Sequence, residues 1–222
     1  MNETVKLSVA LALICAIASS VLALAHKTTE PVIKKREAGQ RREALGKVLP
    51  QFDNDPAAEE GKTVVEHAGQ TFTFYRAQMD NKLVGLAGEG STGQGFGGEI
   101  KVLMGMGVDG NVGTVLVTRH KETPGLGTKV TDRAATRSIW SLFGSGDGNT
   151  CDAKAAAVPP SKYLDQFRNG FSAKSAPFMV KQDGGTVDAI SGATVSSRAV
   201  ADAVSRISQA FEANRTGILG EH

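Results

Sequence analysis

The sequence predicts an α+β fold: an antiparallel hairpin sheet flanked by helices and preceded by one N-terminal transmembrane helix. Three observations carry that expectation. Leu7 to Ala25 is a run without charge. Ile100, Val102, Met104, Met106 and Val108 fall on every second position, the period of a strand with one apolar face. Val200, Val204, Ile207 and Phe211 recur at spacings of four, three and four, the stripe of an amphipathic helix. With 222 residues and 41% hydrophobic composition, the chain can bury one core.

At 1.5 Å per residue, Leu7 to Ala25 spans about 28 Å, close to a bilayer core of roughly 30 Å. A cleaved signal peptide is the rival reading, since Lys6 provides a basic start and Ala23-Leu24-Ala25 an acceptable cleavage site. The apolar run is longer than the usual ~7–15 residues of such a peptide, which favours an anchor. Lys27, Lys34, Lys35, Arg36, Arg41 and Arg42 follow the run and only Lys6 precedes it, so the positive-inside rule alone places the large domain in the cytoplasm. Thr28 or Thr29 can cap a second helix with Pro31 near its first turn, ending before Pro50.

Beyond it, Thr71 to Arg76 and Lys82 to Ala87 read as strands. Gly88, Gly90, Gly93, Gly95, Gly97 and Gly98 read as a flexible turn region, without the G-K-[S/T] ending of a phosphate-binding loop. A strand from Glu99 to Val108 turns at Asp109-Gly110-Asn111 and returns as Val112 to Arg119. Thr131 to Phe143 is expected as a helix with Ile139, Trp140 and Phe143 inward, Tyr163 to Phe167 as a short helical piece, and Phe178 to Val180 as a strand.

Charge and cysteine content narrow the function. Lys and Arg number 25 against 23 Asp and Glu, too balanced for a nucleic-acid-binding surface. Cys15 lies in the apolar run and Cys151 in a Gly-rich stretch, and two isolated cysteines cannot ligate an iron–sulfur cluster or a typical zinc site. No metal site is therefore expected, and any redox chemistry needs another cofactor.

The most informative segment is Asp188-Ala189-Ile190-Ser191-Gly192-Ala193-Thr194, which delivers a hydroxyl to the start of the final helix. The first turn of a helix offers N–H groups without partners and a partial positive charge, so a phosphate is stabilised there. A phosphate esterified to Thr194 would be a diester with about one negative charge, against roughly two for a phosphate monoester. Gly192 and Ala193 keep the approach open to a modifying enzyme. From the run alone, a plain helix cap is the stronger reading. Upstream lies His120-Lys121-Glu122-Thr123-Pro124-Gly125-Leu126-Gly127, where Pro-Gly forces a turn and Leu126 can simply plug the core.

Together these two segments resemble the flavin-binding domain of RnfG, a component of the Rnf electron-transport complex. The same domain occurs in a component of the sodium-translocating NADH:quinone oxidoreductase. Val48-Leu49-Pro50 and Val180-Lys181-Gln182-Asp183-Gly184-Gly185 extend the likeness to most of the chain. The resemblance implies FMN held covalently by a phosphoester at Thr194, with Ser191, Gly192 and Ala193 around it, placed there by a flavin transferase that uses FAD. It further implies that Glu122, Thr123, Gly125, Leu126 and Gly127 lie against the cofactor: glycines allow close backbone approach, and Glu122 either fixes the loop or accepts a bond from a ribityl hydroxyl. Asp188 braces the turn or binds the transferase's metal, with bracing favoured.

On this resemblance the chain divides into an anchor (1–26), a juxtamembrane helix (27–50), an FMN-binding domain (51–214) and a C-terminal tail (215–222). The implied function is that of an anchored electron carrier passing electrons between ferredoxin and NAD while Na⁺ or H⁺ is translocated, with integral-membrane and iron–sulfur subunits as partners and no catalytic acid or base of its own. The implied location is the inner membrane, single-pass, with the domain in the periplasm, opposite to the side that the charge rule selects. A stand-alone covalent-FMN reductase and a non-redox secreted binding module are the alternatives.

Overall fold

The computed structural model describes residues 3–133, 158–168 and 170–220. The chain forms two units, Met1–Arg42 and Glu43–His222.

The described residues of the first unit, 3–42, belong to helix α1, Glu3–Val48. It contains the one helix among the described residues that is long and apolar enough to cross a membrane. Leu7, Leu11, Ile14, Ile17, Val21 and Leu24 are all exposed, which distinguishes it from the core helix of a globular domain. The expected break into two helices does not occur. Pro31 lies inside α1, and the hydroxyls of Thr28 and Thr29 donate back to Ala25 O at 2.9 and 2.8 Å instead of capping a new start.

The second unit is built on a five-stranded antiparallel sheet in sequential order: β1 (Lys62–His67), β2 (Gln70–Met79), β3 (Lys82–Gly95), β4 (Gly98–Met106) and β5 (Val112–Arg119). Tight turns set this meander. Ala68 and Gly69 join β1 to β2, and Asp80 and Asn81 join β2 to β3, all four with positive φ, as two-residue hairpin loops require. The predicted return through Asp109-Gly110-Asn111 is present, with Gly110 at φ 87°. β1 was not expected from the sequence.

The Gly-rich stretch is not a flexible turn region. Gly88, Gly90 and Gly93 lie within β3, and the turn is confined to its end, where Gly95 pairs with Gly98. These strand glycines are selected by what packs on them. A Cβ at Gly88 would lie 2.5 Å from Ile207 Cγ2, and one at Gly90 would lie 2.9 Å from Ile207 Cγ1 and the Phe72 ring. Ile207 belongs to α2, Thr194–Ala213, whose apolar face settles against the bare backbone of β3. The predicted stripe of Val200, Val204, Ile207 and Phe211 is fully buried there with Phe72, Phe74, Leu86, Ile100, Val102, Met104 and Val115.

The opposite face carries Tyr75, Ala77, Ala87 and Leu103. It is covered by Leu45, Val48 and Leu49 from the end of α1 and the residue that follows it. Both faces are thus buried, which explains why β4 holds Leu103 as well as the alternating set facing α2. The edge of β5 is met by Arg133, whose Nε and one terminal nitrogen donate to Val115 O at 3.1 and 2.8 Å while the other reaches Asp165 Oδ1 at 2.8 Å.

Smaller expectations divide. The helical piece near Tyr163 is a 3-10 turn, Leu164–Arg168. Phe178 to Val180 forms no strand, only a bridge from Val180 to Val187. A single helical turn occupies Thr128–Thr131; the expected helix from Thr131 to Phe143 falls otherwise almost wholly outside the described residues, as do Ile139, Trp140, Phe143 and Cys151. Arg215–Leu219, expected as part of a tail, forms a short helix with Ile218 fully buried.

Candidate functional site

Thr194 is the first residue of α2 and is half-buried. Ser191 and Gly192 before it are exposed and Ala193 is buried. Gly192 takes φ 80°, a conformation that would strain any side chain. Ala193 ends the turn, its N–H bonded to Ile190 O at 2.9 Å and its carbonyl accepting from Ser197 N at 2.9 Å. Having no side-chain oxygen, Ala193 leaves the N–H groups of Thr194, Val195 and Ser196 uncapped.

Neither serine of this first turn is free to add a hydroxyl to that set. Ser197 is fully buried; its Oγ donates to Ala193 O at 2.9 Å and accepts from Ile190 N at 3.2 Å, which locks the turn. Its carbonyl takes the Tyr163 hydroxyl at 2.6 Å, and burial pushes that phenol's pKa up. Ser196 is equally inward and donates from Oγ to Glu122 Oε2 at 2.6 Å. Thr194 has no side-chain partner among the described residues.

Glu122 is only 5% exposed, and both its oxygens are engaged, since Oε1 accepts from Gly97 N at 3.2 Å. A Cβ at Gly95, Gly97 or Gly127 would collide with this carboxylate or with the Lys121 carbonyl beside it, so three glycines form its cradle. Glu122 therefore ties together the β3–β4 turn, its own loop and the first turn of α2. Of its two expected roles, the geometry supports fixing the loop.

The rest of the loop closes on itself. Thr123 O accepts from Leu126 N and Thr128 N, and Gly125, at φ 78°, donates its N–H to Thr128 Oγ1 at 2.9 Å. Thr123 is exposed. Leu126 does not plug the core: it is 52% exposed and lies beside the turn before α2, where a Cβ on Gly192 would be 3.8 Å from its Cδ2. His120 takes Glu122 N on Nδ1 at 3.3 Å and sets Nε2 2.8 Å from Asp132 Oδ1, a brace at the end of β5.

Two carboxylates near the turn, Asp188 and Asp183, are paired with cations. Asp188 braces it, although not through an Asx bond: Gln166 clamps its backbone N–H at 2.7 Å and its carbonyl at 3.0 Å, while its carboxylate meets Lys181 at 2.7 Å. Asp183 receives both Arg198 nitrogens, at 2.6 and 2.7 Å, and these bonds hold its carboxyl below the ordinary range. Sequence reasoning did not assign Ser196, Gly95 or Gly97 to the site. The glycine run was the available signal, and it pointed to looseness instead of close approach.

These residues suit FMN. A threonine hydroxyl without a side-chain partner among the described residues and an uncapped helix start, with Asp183 and Asp188 each paired with a cation, fit a phosphate group, and exposed Leu126 near Gly192 offers an apolar surface to a ring. Comparison with known proteins agrees. The model of the FMN-binding domain family matches residues 95–209. Three similar proteins are each the RnfG component of an ion-translocating oxidoreductase complex. That of Vibrio atlanticus is 29% identical, covering 100% of this chain and 96% of the relative. That of Erwinia tasmaniensis is 32% identical over 90% and 86%, and that of Stutzerimonas stutzeri 32% over 90% and 77%. The chain thus belongs to the RnfG family of the ion-translocating oxidoreductase complexes, and residues 95–209 are its FMN-binding domain.

Proposed function

We propose that this chain carries FMN covalently, through a phosphoester on Thr194, and serves as an electron carrier within its complex. The observation that carries the proposal is the division of labour in the first turn of α2: Ser196 and Ser197 are committed inward, and Thr194 alone presents a hydroxyl beside uncapped N–H groups.

In the attachment step, Thr194 Oγ1 bonds to the FMN-side phosphorus of FAD, the pyrophosphate bridge breaks, AMP leaves and the hydroxyl proton is released. A flavin transferase supplies the catalysis. FMN, once bound, takes up and releases electrons singly or in pairs. The chain's own residues then position it: N–H groups of the helix start hold the phosphate, the exposed turn of Ser191 and Gly192 admits the transferase, and the Glu122-fixed loop from Thr123 to Gly127 borders the cofactor. No side chain here is required to move a proton. The apolar part of α1 serves as a single-pass anchor, with the domain on the extracytoplasmic side and integral-membrane and iron–sulfur subunits as electron partners.

Mass spectrometry of the Thr194 peptide, from protein made in cells with a flavin transferase, tests the reading. We expect the added mass of FMN less water, and its loss in Thr194→Ala with stability changed by no more than about 0.5 kcal/mol, since no side-chain bond is removed. An unmodified wild-type peptide removes the covalent attachment from the proposal. Flavin on Thr194 of a chain that works without other membrane subunits would instead identify a stand-alone reductase.

A further inference from the structure

The β3–β4 turn presents Phe96 to solvent at 73% exposure, with Gly95 and Gly97 on either side. The turn is held firmly. Gly97 N–H donates to Glu122 Oε1, and a Cβ at Gly97 would collide with the Lys121 carbonyl, so the turn rests directly on Lys121 and Glu122. Three cations surround this contact. Lys121 is exposed, as is Arg119 two residues before it, and Arg119 is the cross-strand partner of Lys101, three residues past the turn on β4. Cross-strand partners emerge on one face of a sheet, where like charges cost stability. Among the described residues none of these three cations forms an ion pair. The acids of this corner do not answer them: Glu122 is buried and Asp132 is held by His120, which leaves exposed Glu99 against three positive charges.

We infer that Phe96, Lys101, Arg119 and Lys121 form a docking surface for the acidic face of another subunit of the complex, with the Phe96 ring entering an apolar socket in it. Membership of the RnfG family gives the chain companion subunits, and the charge of this corner sets the sign of the surface that fits it. An aromatic side chain on a fixed turn loses little freedom on burial, which is the property of an interface anchor, and the cations around it steer an oppositely charged partner. An anionic bilayer shares the charge preference, but elements that lie on membranes bury a broad apolar face, and here one ring stands between glycines. Glu122 ties the surface to the head of α2, since its other oxygen accepts from Ser196, two residues beyond Thr194. A subunit seated on Phe96 is thereby fixed to the segment that carries Thr194. Docking does not depend on modification of that residue.

The experiment compares amide hydrogen exchange of the full-length chain alone in detergent, in the intact complex purified from its membrane, and in phosphatidylglycerol vesicles. Residues 95–101 and 119–121 should exchange about tenfold more slowly in the complex than alone, and no more slowly in the vesicles. Complexes are also isolated through a tag on this chain carrying Phe96→Ala, the triple change Lys101→Glu, Arg119→Glu and Lys121→Glu, or the control Lys82→Glu at the far end of β3. Phe96→Ala, which removes the anchor, should speed dissociation of the other subunits about tenfold at any salt concentration. The triple change should do so at about 50 mM salt, with its difference from wild type shrinking by about 500 mM. Lys82→Glu should behave as wild type. Unaltered exchange in the complex, together with wild-type dissociation of both the Phe96→Ala and the triple variants, overturns the docking surface. Equal slowing in the vesicles assigns the surface to the membrane and overturns it as well. Neither result bears on attachment at Thr194, which the mass of its peptide reports separately.

Discussion

Replacing Glu122 with Ala tests the central tie of the site. The substitution removes a carboxylate that is 5% exposed and strands the hydroxyl of Ser196, itself 2% exposed, and the N–H of Gly97. The short bond from Ser196, assisted by charge, is worth about 1.5–3 kcal/mol, and the longer one from Gly97 about 0.5–1.5 kcal/mol. Water entering the vacated cradle returns part of this, so the net loss should be about 2–4 kcal/mol. For a domain of this size that is a fall in Tm of roughly 5–15 °C. Glu122→Gln keeps an acceptor for Gly97 and sets an amide N–H against Ser196 Oγ, so it should lose only about 1 kcal/mol. Urea unfolding of the three proteins gives the energies, and hydrogen exchange at Gly97 reports whether the β3–β4 turn has been released. Should the Ala variant unfold within about 0.5 kcal/mol of wild type, the ordinary range for a surface change, with exchange at Gly97 unaltered, the carboxylate would not be what joins these segments.

Two other substitutions probe the frame beneath the site. Gly88→Val places a side chain where Ile207 already sits and should destabilise by about 1–3 kcal/mol, and adding Ile207→Ala should recover part of that loss, a non-additivity read from a double-mutant cycle in urea. Strict additivity would mean that α2 does not rest on this glycine. Tyr163→Phe removes the hydroxyl bond to Ser197 O and should cost about 1 kcal/mol at neutral pH. The folded phenol has its pKa raised by burial, so the unfolded chain loses that proton first; the wild type is therefore fully stabilised below about pH 10 and loses stability as pH rises further. The gap between the two proteins should narrow in that alkaline range, and a constant gap from about pH 8 to about pH 11 would contradict the sign.

What could be read from the sequence was what local chemistry determines. The strand from Val112 to Arg119, the Asp109-Gly110-Asn111 turn and the buried stripe of α2 were all visible, because period and turn residues act over a few positions. Thr194 at the start of a helix was visible for the same reason. The glycines of β3 were misread because their meaning lies more than a hundred residues away, in Ile207, whose side chain occupies the space they leave. The continuity of α1 was missed because Thr28 and Thr29 can cap a helix or bond back within one, and the hydroxyl geometry decides between these. At the site, Ser196 carried no local signal at all: its partner is 74 residues upstream.

That long-range pairing bears on why one hydroxyl among several would be modified. Ser191, Thr194, Ser196 and Ser197 lie within seven residues, and accessibility alone favours Ser191, which is exposed. Ser196 and Ser197 are removed from competition by Glu122 and by Ala193 O. Between the remaining two, only Thr194 stands at the head of a 20-residue helix, where a phosphate gains from uncapped N–H groups and from a macrodipole equivalent to about half a positive charge. A phosphodiester brings about one negative charge, and two of the nearby carboxylates, Asp183 and Asp188, are already paired with Arg198 and Lys181. On the proposed attachment, selection of Thr194 is a property of the folded turn, and a Thr194→Ser variant, which keeps the helix position and the hydroxyl, should still accept the flavin, whereas flavin transferred to Ser191 in Thr194→Ala would show that access, not the helix start, decides.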